Sequence, residues 1–201
     1  MARGARLVLV EGLPGSGRGS TARKIAGRLQ GKGAEVDTGR PARIDTRDPD
    51  YVNRTLDAWG EFLTASPAST RVVHGALFDG AIRGLYEQCM PEDEILQFWR
   101  TLETSLAPAG AVLVYLWHPD PACLIREHTI PTEGIDWYDR VADQVARTPQ
   151  GRRFRHMGVQ GFVEFWVHFG ALCDALVAHS RLPVERLPAA GQTMRDVLLP
   201  Q

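Results

Sequence analysis

Residues 11 to 21 read Glu11-Gly12-Leu13-Pro14-Gly15-Ser16-Gly17-Arg18-Gly19-Ser20-Thr21. Glycines at this density let backbone amides turn inward in conformations that other residues resist, which builds a nest for an anion. At the head of a helix, the macrodipole adds partial positive charge to such a nest. The spacing of Gly12 and Gly17 matches the phosphate-binding pattern G-x-x-x-x-G-K-S/T. Two positions depart from it. Arg18 stands where the lysine belongs, and a planar guanidinium does not substitute for a compact ammonium. Gly19 stands where a hydroxyl normally ligates magnesium. Ser20 and Thr21 follow one and two positions later, where an undistorted helix turns them away. The expected chemistry is phosphate binding by Gly12, Gly15, Ser16, Gly17, Arg18, Gly19 and Ser20, with ATP as an option and Mg2+ poorly supported. A tight strand-to-helix turn without a ligand is the plain alternative.

Other residues carry further options. His74 follows the apolar run Arg71-Val72-Val73, at the carboxyl edge of a sheet, where ligands bind in open α/β folds. It is either a general acid or base or a hydrogen-bonded structural histidine. Asp45, Arg47, Asp48 and Asp50 lie after the second strand. There an aspartate can orient a substrate group and Arg47 can pair with an acid, unless the segment is a solvated loop. Arg147, Arg152, Arg153 and Arg155 surround Gly151, and such a cluster can close over phosphates; a solvated helix end is the alternative. Trp137, Tyr138, Trp166 and Phe169 are pocket walls or, more commonly at helical spacing, core. Glu164 and His168 sit at i, i+4 with no third metal ligand in view, which favours a surface pair.

The elements that must position these residues alternate. Leu7-Val8-Leu9-Val10 reads as a strand buried on both faces. Ala22, Ile25, Ala26 and Leu29 then form one helical face, ended by Gly31 and Gly33. A weaker strand is expected at 35–38, a helix at 51–63, a strand at 71–73 and a helix around Ile82, Leu85 and Tyr86. The next helix, 92–106, opens on Glu92-Asp93-Glu94, acids suited to a helix N-terminus. A strand at 111–116, a short helix ending near Arg126, helices at 137–148 and 162–179, and a last strand at 184–187 complete the chain. This alternation predicts α/β architecture with a parallel sheet and helices on both faces. No repeat, low-complexity tract or linker interrupts it, so one domain over 1–201 is expected.

The formal net charge of −1 argues against a general nucleic-acid binder. No apolar run approaches the roughly 20 residues that span a bilayer, and Leu7 to Val10 is too short for a signal peptide. Cys89, Cys123 and Cys173 are widely spaced and match no zinc or disulfide pattern; they read as reduced, mostly buried thiols. The expectation is a cytoplasmic protein that acts on a small-molecule substrate, without membrane or nucleic-acid partners. A homodimer is left open.

The run Gly12 to Ile25 resembles the opening of small P-loop kinases, in particular nucleoside- and nucleotide-kinase-like proteins such as chloramphenicol-phosphotransferase-like and thymidylate-kinase-like members. Leu116-Trp117-His118-Pro119-Asp120-Pro121 with Arg126 resembles the strand, proline and arginine-bearing helix before the lid. Thr148-Pro149-Gln150-Gly151-Arg152-Arg153 resembles the lid itself. The resemblance implies a P-loop kinase-like, five-stranded parallel sheet with a small helical lid at about 127–160. It further implies ATP on the loop, phosphates held by Arg18 and the lid arginines, and an acceptor addressed by Asp45 or His74. Such kinases carry an acid near the end of the third strand. Here His74 takes that place, and Asp79 comes five residues later. Three functions follow: a small-molecule phosphotransferase, a repurposed or pseudo-kinase in specialised metabolism without Mg-ATP turnover, or a non-catalytic regulatory binding module.

Overall fold

The computed structural model describes residues 7–65 and 70–189. Five parallel strands form one sheet in the order β2-β3-β1-β4-β5. They are β1 (Leu7–Gly12), β2 (Val36–Asp37), β3 (Thr70–His74), β4 (Ala111–Trp117) and β5 (Val184–Pro188). β1 lies at the centre, with Leu9 opposite Val73 on one side and Leu113 on the other. Alternate side chains of a strand face opposite layers, which explains why its apolar run has no polar break. Leu7 and Leu9 face the thick layer, and Val8 and Val10 face the thin one.

The thin layer is α1 (Arg18–Gly31), whose Ala22, Ile25 and Ala26 pack on Val8 and Val10. The thick layer contains α2 (Tyr51–Thr64), α4 (Glu92–Leu106) and α9 (Gly158–Ala178). Its centre is aromatic: Trp59, Trp99, Trp166, Phe78, Phe162 and Phe165 are fully buried. Trp166 and Phe169 are therefore core residues. Tyr138 packs edge-on against Phe162 at 5.1 Å.

The expected elements recur with several differences. β2 is only a two-residue edge strand. After β3 the chain makes a π-helical turn, Leu77–Ile82, before the short α3 (Arg83–Glu87). After β4, α5 (Pro121–Cys123) runs into a second π-helical turn, Leu124–Thr129. Then come α6 (Ile130–Glu133), α7 (Ile135–Arg147) and α8 (Pro149–Phe154). α9 starts at Gly158 and is long and apolar enough to cross a membrane by length and composition, contrary to the sequence expectation, but most of its apolar window is buried inside the fold. Only Cys173 of the three free thiols is buried, so the expectation of mostly buried thiols is corrected; Cys89 and Cys123 are partly exposed.

Candidate functional site

The glycine loop joins β1 to α1 at the carboxyl edge of the sheet. Gly17 closes it in the left-handed region, φ 87°, and Thr21 N donates to Gly17 O at 2.9 Å. Gly15 has φ 78°, and a β-carbon there would lie 2.2 Å from Thr129 Oγ1. Only glycine fits that approach. Thr129 Oγ1 is within hydrogen-bond distance of Pro14 O (2.9 Å) and Leu124 O (3.0 Å), so the second π-helical turn clamps the loop from above. Ser20 Oγ donates back to Gly17 O at 2.8 Å, which turns this hydroxyl away from the loop's concave side. Ser16 is buried, and its Oγ has no hydrogen-bond partner.

Arg18 is the first residue of α1, and its guanidinium is tied to the next loop along the sheet edge. Arg18 Nη2 lies 3.1 Å from Asp79 Oδ2, and Arg83 Nη1 lies 2.6 Å from Asp79 Oδ1. Arg83 Nε in turn lies 3.1 Å from Glu87 Oε1. Burial opposes ionisation of Asp79, but Arg83 and Arg18 outweigh it and hold its carboxyl below the usual range. Burial pushes the Glu87 carboxyl up, against the pull of Arg83.

Glu11 positions this network, and the sequence reading passed over it. The residue is fully buried at the end of β1. It accepts the N–H of Leu77 at Oε1 (2.9 Å) and of Phe78 at Oε2 (3.1 Å). Its carboxylate thus caps the π-helical turn that carries Asp79. Burial pushes its pKa up to about 7, partly opposed by Arg18 and the two N–H donors. The available signal was an acid closing an otherwise apolar strand directly before Gly12, since carboxyl groups are rarely buried without a partner.

His74 ends β3, half-buried, with Arg40 Nη2 2.6 Å from its Nε2. The same Nη2 lies 3.1 Å from Nδ1, and because an arginine only donates, whichever ring nitrogen carries no proton is the acceptor. Burial, followed by Arg40, Arg18 and Arg23, lowers the His74 pKa. A β-carbon on Gly19 would sit 3.6 Å from His74 Cε1 and 3.6 Å from Arg23 Nη1. The position that supplies a magnesium hydroxyl in the usual pattern therefore faces an imidazole and an arginine. Magnesium requires oxygen ligands. Here the nearby acid Asp79 is bound by two arginines, and no group of three His, Cys, Asp or Glu suited to a metal exists among the described residues. The acid beside the loop is thus already engaged by arginines.

Beside the network lies a cavity of about 340 Å³, lined by Arg40, Arg43, Asp79, Arg83, Trp137 and Arg140 among others. A larger cleft of about 980 Å³ adjoins it and shares Arg43 and Arg140. Asp45, Arg47, Arg147 and Arg152 line this cleft. Asp45 and Arg47 are paired to each other at 2.7 Å, and hydrogen bonds from Arg47 lower the Asp45 pKa to about 2. Asp48 pairs with Arg54, and Asp50 accepts from Asn53 at 2.6 Å. Arg147 pairs with Asp143 at 2.9 Å. Arg153 lines neither cavity and donates to Cys89 Sγ at 3.3 Å. Glu164 accepts from Gln160 at 2.7 Å. Among the expected residues, the fold thus gathers Arg18, Gly19, His74 and Asp79 at one point, and sets Asp45, Arg47, Arg147 and Arg152 around the neighbouring cleft.

No protein-family model matches the chain, and no curated protein matches it in sequence. Among solved structures it is similar to one described as the crystal structure of APE1195, at 13% identity, over 88% of this chain and 98% of that one, with a TM-score of 0.44.

Proposed function

We propose that this chain is a P-loop kinase-like protein of small-molecule phosphotransferase type. In this reading it holds nucleotide phosphates on Gly12–Ser20 and an anionic small molecule in the arginine-lined cavity. The observation that carries the reading is a shared wall. Gly75 and Asp79 line the cavity, Asp79 pairs with Arg18 at 3.1 Å, and a β-carbon on Gly75 would lie 3.2 Å from Arg18 Nη1. Ligands in the loop and in the cavity would meet across Arg18, the proximity that group transfer needs. The unpartnered, buried Ser16 hydroxyl supports ligand binding at the loop. Arg40, Arg43 and Arg140 favour a phosphate- or carboxylate-bearing acceptor, because guanidinium forks bind such groups bidentately. Trp137 offers it an apolar face.

A second reading keeps the same ligands without conventional Mg-ATP turnover. It is favoured by Gly19, which lacks the hydroxyl and faces His74 and Arg23.

Calorimetric titration of ATP and ADP into the intact protein, with and without Mg2+, tests the first statement. Binding that is lost on Arg18→Ala supports it; absence of affinity for either nucleotide under both conditions overturns it. Phosphate release or transfer seen only with Mg2+ would separate the first reading from the second.

A further inference from the structure

We infer that Arg40, seated on His74, is a resident cation that replaces magnesium beside the loop, so that this chain binds polyphosphate without a metal ion. The inference rests on reading Gly12–Ser20 as a phosphate site.

Three observations carry it. First, the helix position that would present a metal-binding hydroxyl is Gly19, and the space a side chain would enter there is bordered by His74 Cε1 and Arg23 Nη1, each 3.6 Å away. Second, His74 ends β3, and Arg40 Nη2 lies against its ring, 2.6 Å from Nε2 and 3.1 Å from Nδ1. An aspartate or glutamate at this place would cancel the charge of Arg40 or compete for a metal. An imidazole carries no negative charge, so it leaves the positive charge of Arg40 uncancelled. Third, the acid at this edge, Asp79, is consumed by Arg18 and Arg83. A divalent cation arriving at Gly19 would meet Arg18, Arg23 and Arg40, and Asp79, held by two arginines, is not free to receive it. A polyphosphate arriving there would meet those same guanidinium groups as donors.

Arg40 also lines the cavity beside Asp79 and Gly75. It therefore stands between the loop and the acceptor space, where a bridging cation serves in metal-dependent phosphate sites. Because arginine remains protonated at any physiological pH, the charge of Arg40 does not depend on pH or on metal supply.

The test is calorimetric titration of inorganic pyrophosphate into the full chain, once with EDTA and once with excess Mg2+. The expected result is an affinity in EDTA at least as high as in Mg2+, since the metal-free anion is the ligand. Arg40→Gln is expected to bind pyrophosphate about tenfold more weakly in EDTA, the loss of one charge-assisted contact. Arg40 is exposed, so this variant keeps the fold. His74→Asp is expected to lose metal-free affinity and to gain dependence on Mg2+. Binding by the unaltered chain only when Mg2+ is present overturns this inference and leaves the proposed function standing. Unchanged affinity of Arg40→Gln in EDTA does the same. Absence of pyrophosphate binding in both conditions overturns the proposed function and the inference together.

Discussion

Arg18 and Asp79 stand 61 positions apart in the chain and meet at 3.1 Å, part-buried, at the edge of the sheet. In the usual loop pattern the cation at this position is free to meet phosphate. Here it is already paired, so a phosphate must compete with a carboxylate for it. Arg83 holds the other Asp79 oxygen and keeps that acid neutralised when Arg18 leaves. If the loop binds phosphate as proposed, the pair is a latch on the loop cation.

Asp79→Asn opens the latch. Arg18 is then free to reach an anion in the loop, and pyrophosphate affinity is expected to rise by up to roughly tenfold. The cost is a lost carboxylate between two arginines, expected to lower stability by about 1–3 kcal/mol. Calorimetry and urea denaturation read the two effects separately. Unchanged or weaker pyrophosphate binding in a folded variant would sink the latch.

Glu11 links stability to pH in the direction opposite to a salt-bridged acid. Its folded pKa of about 7 lies above the unfolded value of 4.5. The folded state therefore keeps the proton where the unfolded state has lost it. The stability contributed is fully present below pH 4.5 and is lost as pH rises to about 7. The linkage amounts to something on the order of 3 kcal/mol. In Glu11→Gln the titrating group is gone, so denaturation midpoints across this range should show a flatter pH profile than the unaltered chain. Parallel profiles for the two proteins would refute the assignment.

Gly15→Ala tests the clamp of Thr129 on the loop. The added methyl meets Thr129 Oγ1 and the backbone must hold φ 78° with a side chain present. Together these are expected to lower stability by about 1–3 kcal/mol and to weaken pyrophosphate binding. The companion Gly15→Ala/Thr129→Gly removes the obstruction but not the φ strain, and should recover part of the loss. No recovery would mean that backbone strain alone sets the effect.

The thiols report burial directly. Cys173 is buried, and burial pushes its thiol well above the ordinary range. In the native protein it is expected to resist iodoacetamide while Cys89 and Cys123 are alkylated, and to react once urea unfolds the chain. Mass spectrometry of the labelled peptides distinguishes the three. Labelling of Cys173 at the native rate of the other two would contradict its placement against the sheet.

Much of the fold was legible because its determinants are local. The apolar run at Leu7 to Val10, the helical face of Ala22, Ile25 and Ala26, and the acidic first turn at Glu92 each follow from residue periods or from charge at a helix end. The two π-helical turns were not legible. The first is capped by Glu11, 66 positions away from Leu77, and no window of neighbouring residues contains that partner. Of the candidate site, the loop was legible residue by residue. Asp45 and Arg47 were legible as charges, but their mutual pairing depends on a loop conformation that composition does not specify. Arg40, Arg43, Arg83 and Arg140 were passed over because arginines look alike in sequence and only their convergence on one cavity distinguishes them.

By itself, the sequence determined that a glycine-rich loop joins a buried strand to a helix, and that this loop lacks the lysine and the hydroxyl of the usual phosphate-binding pattern. Glycine conformations and helix dipoles act within a few residues, so those features do not wait for the rest of the chain. Only the tertiary structure decided that Arg18 is held by Asp79, that Arg40 lies against His74, and that Glu11 is buried at the end of β1. Those relations depend on which strands lie side by side in the order β2-β3-β1-β4-β5. Electrostatic partners are chosen by distance in space, and the sheet brings the ends of β1 and β3 together although α1, β2 and α2 lie between them in the chain.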